Sequence, residues 1–212
     1  MGIKINGMAS AWLVLLSILF FNASCSNIPD EKEISSVSPK SYQNETTAAL
    51  EFCKSNKYNT DYFLLIDLSI HSGLKRLFVY DFKQKAITDR FLVSHGCCNN
   101  PWSSTWSKSA ATVSNKDGSH CSSIGKYTIG ERGYSSWGIH IKYLMHGLDA
   151  SNGNALRREI VFHSWEEVGD EEIYPKGTPE GWGCPAVSNN TMKLIDQKLK
   201  NASSKVLMWV IQ

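Results

Sequence analysis

The chain has 212 residues, 42% apolar and 20% charged, enough for one globular domain of ordinary size with a full hydrophobic core. Lys and Arg total 22 against 20 for Asp and Glu, so the formal charge is only +2 and no run of like charge marks a nucleic-acid partner.

The N-terminus reads differently from the rest. Lys4 precedes an apolar run over residues 8–21 (MASAWLVLLSILFF). At about 1.5 Å per residue this run is shorter than the roughly 20 residues a bilayer span needs, and it fits the h-region of a secretory signal. Residues 1–25 are therefore expected to be an export signal, which places the mature chain in the periplasm or cell envelope. The small residues before Cys25 resemble a bacterial lipoprotein signal, in which that cysteine is lipidated and anchors the chain to the membrane. Plain signal cleavage and an uncleaved anchor are the alternatives. Residues 26–45 are polar, serine-rich and carry Pro29 and Pro39, too little apolar surface to offset the entropy of ordering, and they read as a tether.

Residues 46–212 carry the folded domain. Ala49, Leu50 and Cys53 recur at helical spacing within 46–57. Residues 62–70, 76–82 and 86–94 are strand-length runs rich in Leu, Ile, Val, Phe and Tyr, separated by turn residues, and predict an antiparallel meander. Residues 95–124 form a long connection of the kind that is usually functional or mobile. Strand character resumes at 126–130, 137–144 and 159–162. A helix is expected over 190–199, capped by Asn190 with Met192, Leu194, Ile195 and Leu199 as its apolar positions, and a strand over 205–211 closes the chain. The count gives a mostly β domain with a few peripheral helices.

Six cysteines are present. With Cys25 set aside as the lipid site and Cys184 as a reactive candidate, Cys53, Cys97, Cys98 and Cys121 remain for disulfides in an oxidising compartment. Vicinal Cys97 and Cys98 do not easily bridge one another, so each is expected to seek Cys53 or Cys121. Cys184 lies in GWGCPAV, residues 181–187. Gly181 and Gly183 let the backbone approach a ligand and turn N–H groups toward it, Pro185 fixes φ just after, and Trp182 can wall a pocket. Such a loop presents a thiol beside candidate oxyanion donors. A thiol is only a few per cent ionised at neutral pH and needs a base, and His163, at the end of the apolar run REIVF, is the best placed by the chain's course.

RREIVFHSW (157–165) followed by GWGCPAV (181–187) resembles the bacterial L,D-transpeptidases of the YkuD type. LVSHG (92–96), SSIGKYTIGE (122–131), HGLDASNGNALRR (146–158) and the strand pair LFVYDFKQKAITDRFLVSHG extend the resemblance in the same order over about residues 62–190. It implies a β-sandwich or barrel-like catalytic domain that acts on peptidoglycan stem peptides without metal or organic cofactor. Cys184 would form a thioacyl-enzyme with His163 as base. Gly183 and Gly181 would shape the oxyanion site, and Trp182, Trp165, His95 and His146 are candidates for the substrate side; the alternatives are core packing for the tryptophans, a loop anchor for His95, and a structural place or the role of base for His146. The family commonly has Ser or Thr three residues before the nucleophile, where this chain has Gly181, so a main-chain carbonyl, that of Gly181 being the candidate, would have to orient the imidazole. Three rivals stand beside this reading: hydrolysis of the stem peptide by the same thiol, a silent peptidoglycan-binding lipoprotein with Cys184 in a disulfide, and a metal site built from His95, Cys97, Cys98, His120 and Cys121.

Overall fold

A computed structural model describes residues 40–212 together with Met1 and Gly2; the rest of the segment expected to be an export signal, Cys25 and most of the segment expected to be a tether lie outside the described residues. The fold lies in the compact unit Tyr42–Gln212.

It is mostly β. Strands β1 (Tyr62–Asp67), β2 (Leu77–Asp81) and β3 (Ala86–Phe91) form the expected meander. β4 (Gly125–Tyr134), β5 (Ile141–Gly147), β6 (Val161–Ser164), β7 (Ala186–Val187) and β8 (Val206–Ile211) complete one eight-stranded sheet in the order β3-β2-β1-β8-β4-β5-β6-β7. The sheet nearly closes into a barrel. The chain leaving β3 runs beside the β7 edge, where Ser94 N–H donates to Ala186 O at 2.8 Å and Cys97 N–H to Gly181 O at 2.7 Å.

The unbroken apolar runs of β1 and β8 follow from burial on both faces. Leu64, Ile66, Val206, Met208 and Val210 fill the barrel interior. Phe63, Leu65 and Leu207 point outward beneath helix α1 (Gln43–Asn56), whose Ala49 and Cys53, one turn apart, are fully buried against them. α1 starts three residues before the position expected, inside the stretch read as tether.

Helix α2 (Asn189–Lys200) packs Met192 and Ile195 onto the interior cluster, with Leu199 partly buried beside them. Its cap is Ser188, not Asn190: the Ser188 hydroxyl accepts from Thr191 N–H at 3.0 Å, while Asn190 lies inside the first turn and reaches Asp170. Leu194, expected on the apolar face, is exposed. Asp196 ties α2 to the β4–β5 hairpin by accepting from Arg132 Nε at 2.6 Å and Tyr143 OH at 2.7 Å.

Two strand expectations are corrected. Residues 137–140 belong to the β4–β5 turn, with Gly138 and His140 at positive φ and His140 N–H donating to Trp137 O, so β5 begins only at Ile141. Residues 159 and 160 precede β6, which starts at Val161 and holds His163 within it.

The long 95–124 connection is held from inside the protein. Fully buried Arg76 donates to Val93 O, Ile70 O and His95 Nδ1. Buried Glu180 accepts from Asn100 Nδ2, Ser104 Oγ and the N–H of Ser107. These are charged groups placed where the chain cannot form a ladder, each satisfied several times over.

Candidate active site

β6 and β7 run parallel with His163 opposite Ala186, two residues past Cys184. Side chains alternate along strands with a period of two, so His163 and Trp165 from one stretch and Trp182, Cys184 and Ala186 from the other turn to one side. There they line a single cavity of about 440 Å³, joined by Ser94, Gly181, Trp102 and Trp137. Thiol and imidazole, twenty-one residues apart in sequence, share one cleft because a parallel strand pair forms between them.

Cys184 is a free thiol with partial exposure. Its sulfur accepts from Val161 N–H at 3.4 Å, and its proton is directed toward Glu159 O at 3.8 Å. Burial pushes the thiol above its ordinary 9.0, against the pull of the Val161 N–H, Arg158 and Lys142. Burial likewise holds His163 below its ordinary 6.5, opposed by the Ser164 carbonyl and Glu166 and assisted by Lys142, its partner on β5. Both shifts disfavour the charged forms. Near neutral pH both therefore favour the uncharged thiol and the uncharged imidazole.

His163 Nδ1 lies 2.9 Å from Ser164 O. A carbonyl only accepts, so Nδ1 carries the ring proton and Nε2 presents a lone pair. The carbonyl that fixes the ring is therefore that of Ser164. Gly181 is committed elsewhere: its carbonyl accepts from Cys97 N–H, and its N–H donates to His95 O at 2.8 Å. Gly181 thus neither orients the imidazole nor offers an oxyanion donor, because both its main-chain groups are already bonded. The N–H groups of Gly183 and Cys184 carry no hydrogen bond among the described residues. Gly183, at φ +100, makes the turn between Trp182 and Cys184.

Aromatic rings build the walls. Trp165 is buried and stacks on Trp102 at 5.2 Å between ring centroids, with Trp137 at its edge at 6.0 Å. Trp182 is 61% exposed and lies flat on His120 at 5.1 Å. Four of the seven tryptophans of the chain line this one cavity. Trp165 and Trp182 were foreseen at the groove; Trp102 and Trp137 were not, since the first sits in the long connection and the second had been placed in a strand. A tryptophan in a Ser-, Asn- and Pro-rich stretch with no strand face to pack on was the available signal for Trp102.

Two expected substrate-side residues lie elsewhere. His95 is fully buried and bonded on both nitrogens, to Arg76 Nη2 at 2.9 Å and Ser107 Oγ at 3.0 Å. An arginine only donates, so Nδ1 accepts and Nε2 carries the proton. Burial and then Arg76 push this ring down to about 3, which leaves it a neutral anchor of the loop. His146 pairs with Glu131 at 2.9 Å beside a separate cavity lined by Tyr58, Thr128 and Lys205. Its place on β5 carries it away from the thiol.

Cys98 bonds to Cys121, while Cys53 and Cys97 are free and buried. The expected partner of one vicinal cysteine is thus found, and the other needs none. The reading that ties Cys184 in a disulfide is overturned by its free thiol. The metal reading loses two thiolates to the Cys98–Cys121 bond and His95 to Arg76 and Ser107.

Residues 33–209 match the family described as L,D-transpeptidase catalytic domain. Among solved structures the fold is similar to an L,D-transpeptidase (residues 123–326) from Xylanimonas cellulosilytica DSM 15894, at 10% identity and a TM-score of 0.43, covering 76% of this chain and 68% of that one. It is also similar to the helical cell shape determining protein Pgp2 from Campylobacter jejuni, at 13% identity and a TM-score of 0.45, over 76% of this chain and 54% of that one. No curated protein matches the chain.

Proposed function

The chain belongs to the L,D-transpeptidase catalytic domain family, and from that premise we propose that it is an exported cysteine acyltransferase acting on peptidoglycan stem peptides in the cell envelope. Cys184 is the nucleophile and His163 the general base. The observation that carries this reading is the free thiol and the imidazole in one cavity, with the ring proton on Nδ1 bound to Ser164 O so that Nε2 is available. Anchoring through a lipid on Cys25 belongs to the same proposal.

The thiol first turns from the Glu159 carbonyl toward Nε2 of His163. The contact it gives up is weak, the sulfur lying 3.8 Å from Glu159 O. Because both groups rest neutral, the proton passes to Nε2 as sulfur attacks the carbonyl of the third stem residue. The Gly183 and Cys184 N–H groups receive the developing oxyanion, a contribution of about 10²–10³ in rate for each such donor. The intermediate collapses by breaking the bond to D-alanine, whose nitrogen takes the proton back from the imidazolium. An acceptor amine then attacks the thioester and gives its proton to His163, which returns it to the departing Cys184 sulfur. Water at this step gives hydrolysis instead.

Incubating the full chain with a tetrapeptide stem, with and without an amine acceptor, tests the reading. Release of D-alanine with formation of a cross-linked product, both absent in Cys184→Ala, is expected. D-alanine release that survives Cys184→Ala would overturn it.

A further inference from the structure

Two stretches of chain grip the nucleophile loop, and a covalent bond joins them. From residues 95–98, His95 O accepts from Gly181 N–H, Cys97 N–H donates to Gly181 O, and Gly96 pairs with Gly181 in a parallel bridge. From residues 120–122, Ser122 Oγ donates to Gly183 O at 3.3 Å, and the His120 ring stacks on Trp182. The Cys121 carbonyl presses on Gly183 so closely that a Cβ there would sit 2.5 Å from it, and Arg158 Nη2 donates to that same carbonyl at 2.5 Å.

The two stretches also meet each other. Cys98 N–H donates to His120 O at 3.2 Å, Gly96 N–H donates to Ser122 Oγ at 3.0 Å, and a Cβ on Gly96 would meet His120 O at 2.2 Å. This approach of main chain to main chain is closed by the Cys98–Cys121 disulfide across 23 residues of sequence. Neither cysteine lines the cavity.

We propose that Cys98 and Cys121 are positioning residues: their disulfide, acting through Ser122 and the Cys121 carbonyl, holds the Gly183 and Cys184 N–H groups in register with the nucleophile, so that acyl transfer requires the bonded pair. The inference rests on Cys184 being the nucleophile of the proposed reaction. Chemistry on the same sulfur that needs no oxyanion donor is indifferent to the tie, and acylation is sensitive to it, since displacement of catalytic groups by about 1 Å costs on the order of 10²-fold.

Two reagents read this difference in the full chain. Iodoacetamide alkylates sulfur by displacing iodide, with no oxyanion formed, whereas a carbapenem acylates it through a tetrahedral intermediate, its ring nitrogen taking the proton. In the double variant Cys98→Ser/Cys121→Ser, alkylation of Cys184 is expected at the rate of the unaltered protein, while acylation by the carbapenem falls by roughly ten-fold or more. Cys53→Ala, which removes a buried sulfur beneath α1, serves as the control for general loss of packing and keeps the two rates in their original ratio. Should the double variant fail to fold, Ser122→Ala carries the test: it cuts the link to Gly183 O with the disulfide intact and is expected to lower acylation selectively.

Equal acylation rates in the folded variant and the unaltered protein would overturn the proposal. So would a parallel fall of alkylation and acylation, which would make the bond a prop of the fold alone. Absence of acylation in the unaltered protein would instead strike the functional reading beneath it.

Discussion

Alanine at position 183 puts the nucleophile loop under a strain whose size can be worked out. The residue sits at φ +100, where an L side chain costs on the order of 1–3 kcal/mol. The added Cβ would lie 2.5 Å from Cys121 O, and ordinary contact begins at 3.4 Å, so main chain must yield by about 0.9 Å. Cys121 is held by its disulfide and by Arg158, which leaves the movement to Gly183 and Cys184. Displacement on that scale costs about 10²-fold in rate, and complete loss of one oxyanion donor about 10²–10³. At roughly 2–4 °C per kcal/mol for a chain of this size, the melting temperature should fall by about 2–12 °C. Gly183→Ala should therefore remain folded at 25 °C and be acylated about a hundred times more slowly by a tetrapeptide stem, as followed by intact-protein mass spectrometry against time. Gly181→Ala is the comparison for stability: its Cβ meets nothing nearer than Trp165 Cζ3 at 4.0 Å, and its melting temperature should stay where it is. A folded Gly183→Ala protein acylated at the unaltered rate would refute the placement of the donors.

Three further outcomes follow from the same geometry. His163→Ala should slow acylation by about 10²–10⁴, measured by adduct formation, and cost roughly 1 kcal/mol of stability through the lost bond to Ser164 O, measured by calorimetry. Burial holds His163 below 6.5 and Cys184 above 9.0, so the acidic limb of the acylation rate should lie below pH 6.5, and alkylation by iodoacetamide should keep rising through pH 9. A resting ion pair would instead alkylate at a flat, fast rate from mildly acid pH upward. For Asp196, burial works to raise the carboxyl, but the hydrogen bonds from Arg132, Tyr143 and Lys200 prevail and hold it below 3.8. Its contribution is present above the unfolded value near 4 and is lost as pH falls through the depressed one. Asp196→Asn should cost about 1.5 kcal/mol near neutrality through the Tyr143 bond, and the difference in thermal melting should vanish in acid.

The strands that sequence placed well are those whose pattern is local. β1 and β8 are apolar on both faces because the barrel interior and α1 each claim one, and an unbroken run reports that directly. The Cys184 and His163 assignments rested on glycines beside a thiol and a histidine at the close of an apolar run, and the structure brings those two side chains to one cavity. What escaped depends on closure of the sheet. Ser94, Trp102 and Trp137 reach the cavity only because the chain after β3 runs beside β7 and because Gly138 and His140 turn the hairpin early. Of the two readings of His95, the loop anchor holds, and the choice was not legible because nothing near it in sequence announces Arg76, nineteen residues back and buried with it. The imidazole's orienting carbonyl was sought at Gly181, whereas the next residue, Ser164, supplies it. Ser188 was passed over as the α2 cap in favour of Asn190 because both residue types cap equally well, and only the path of the chain out of β7 decides between them.

The most direct test of the central claim is the mass of the full chain after brief exposure to a tetrapeptide stem, followed by peptide mapping. The account predicts a retained tripeptide on the peptide that contains Cys184, formed with loss of D-alanine and discharged by an added amine. A tripeptide carried on any other residue, or an adduct of the same mass in Cys184→Ala, would contradict it.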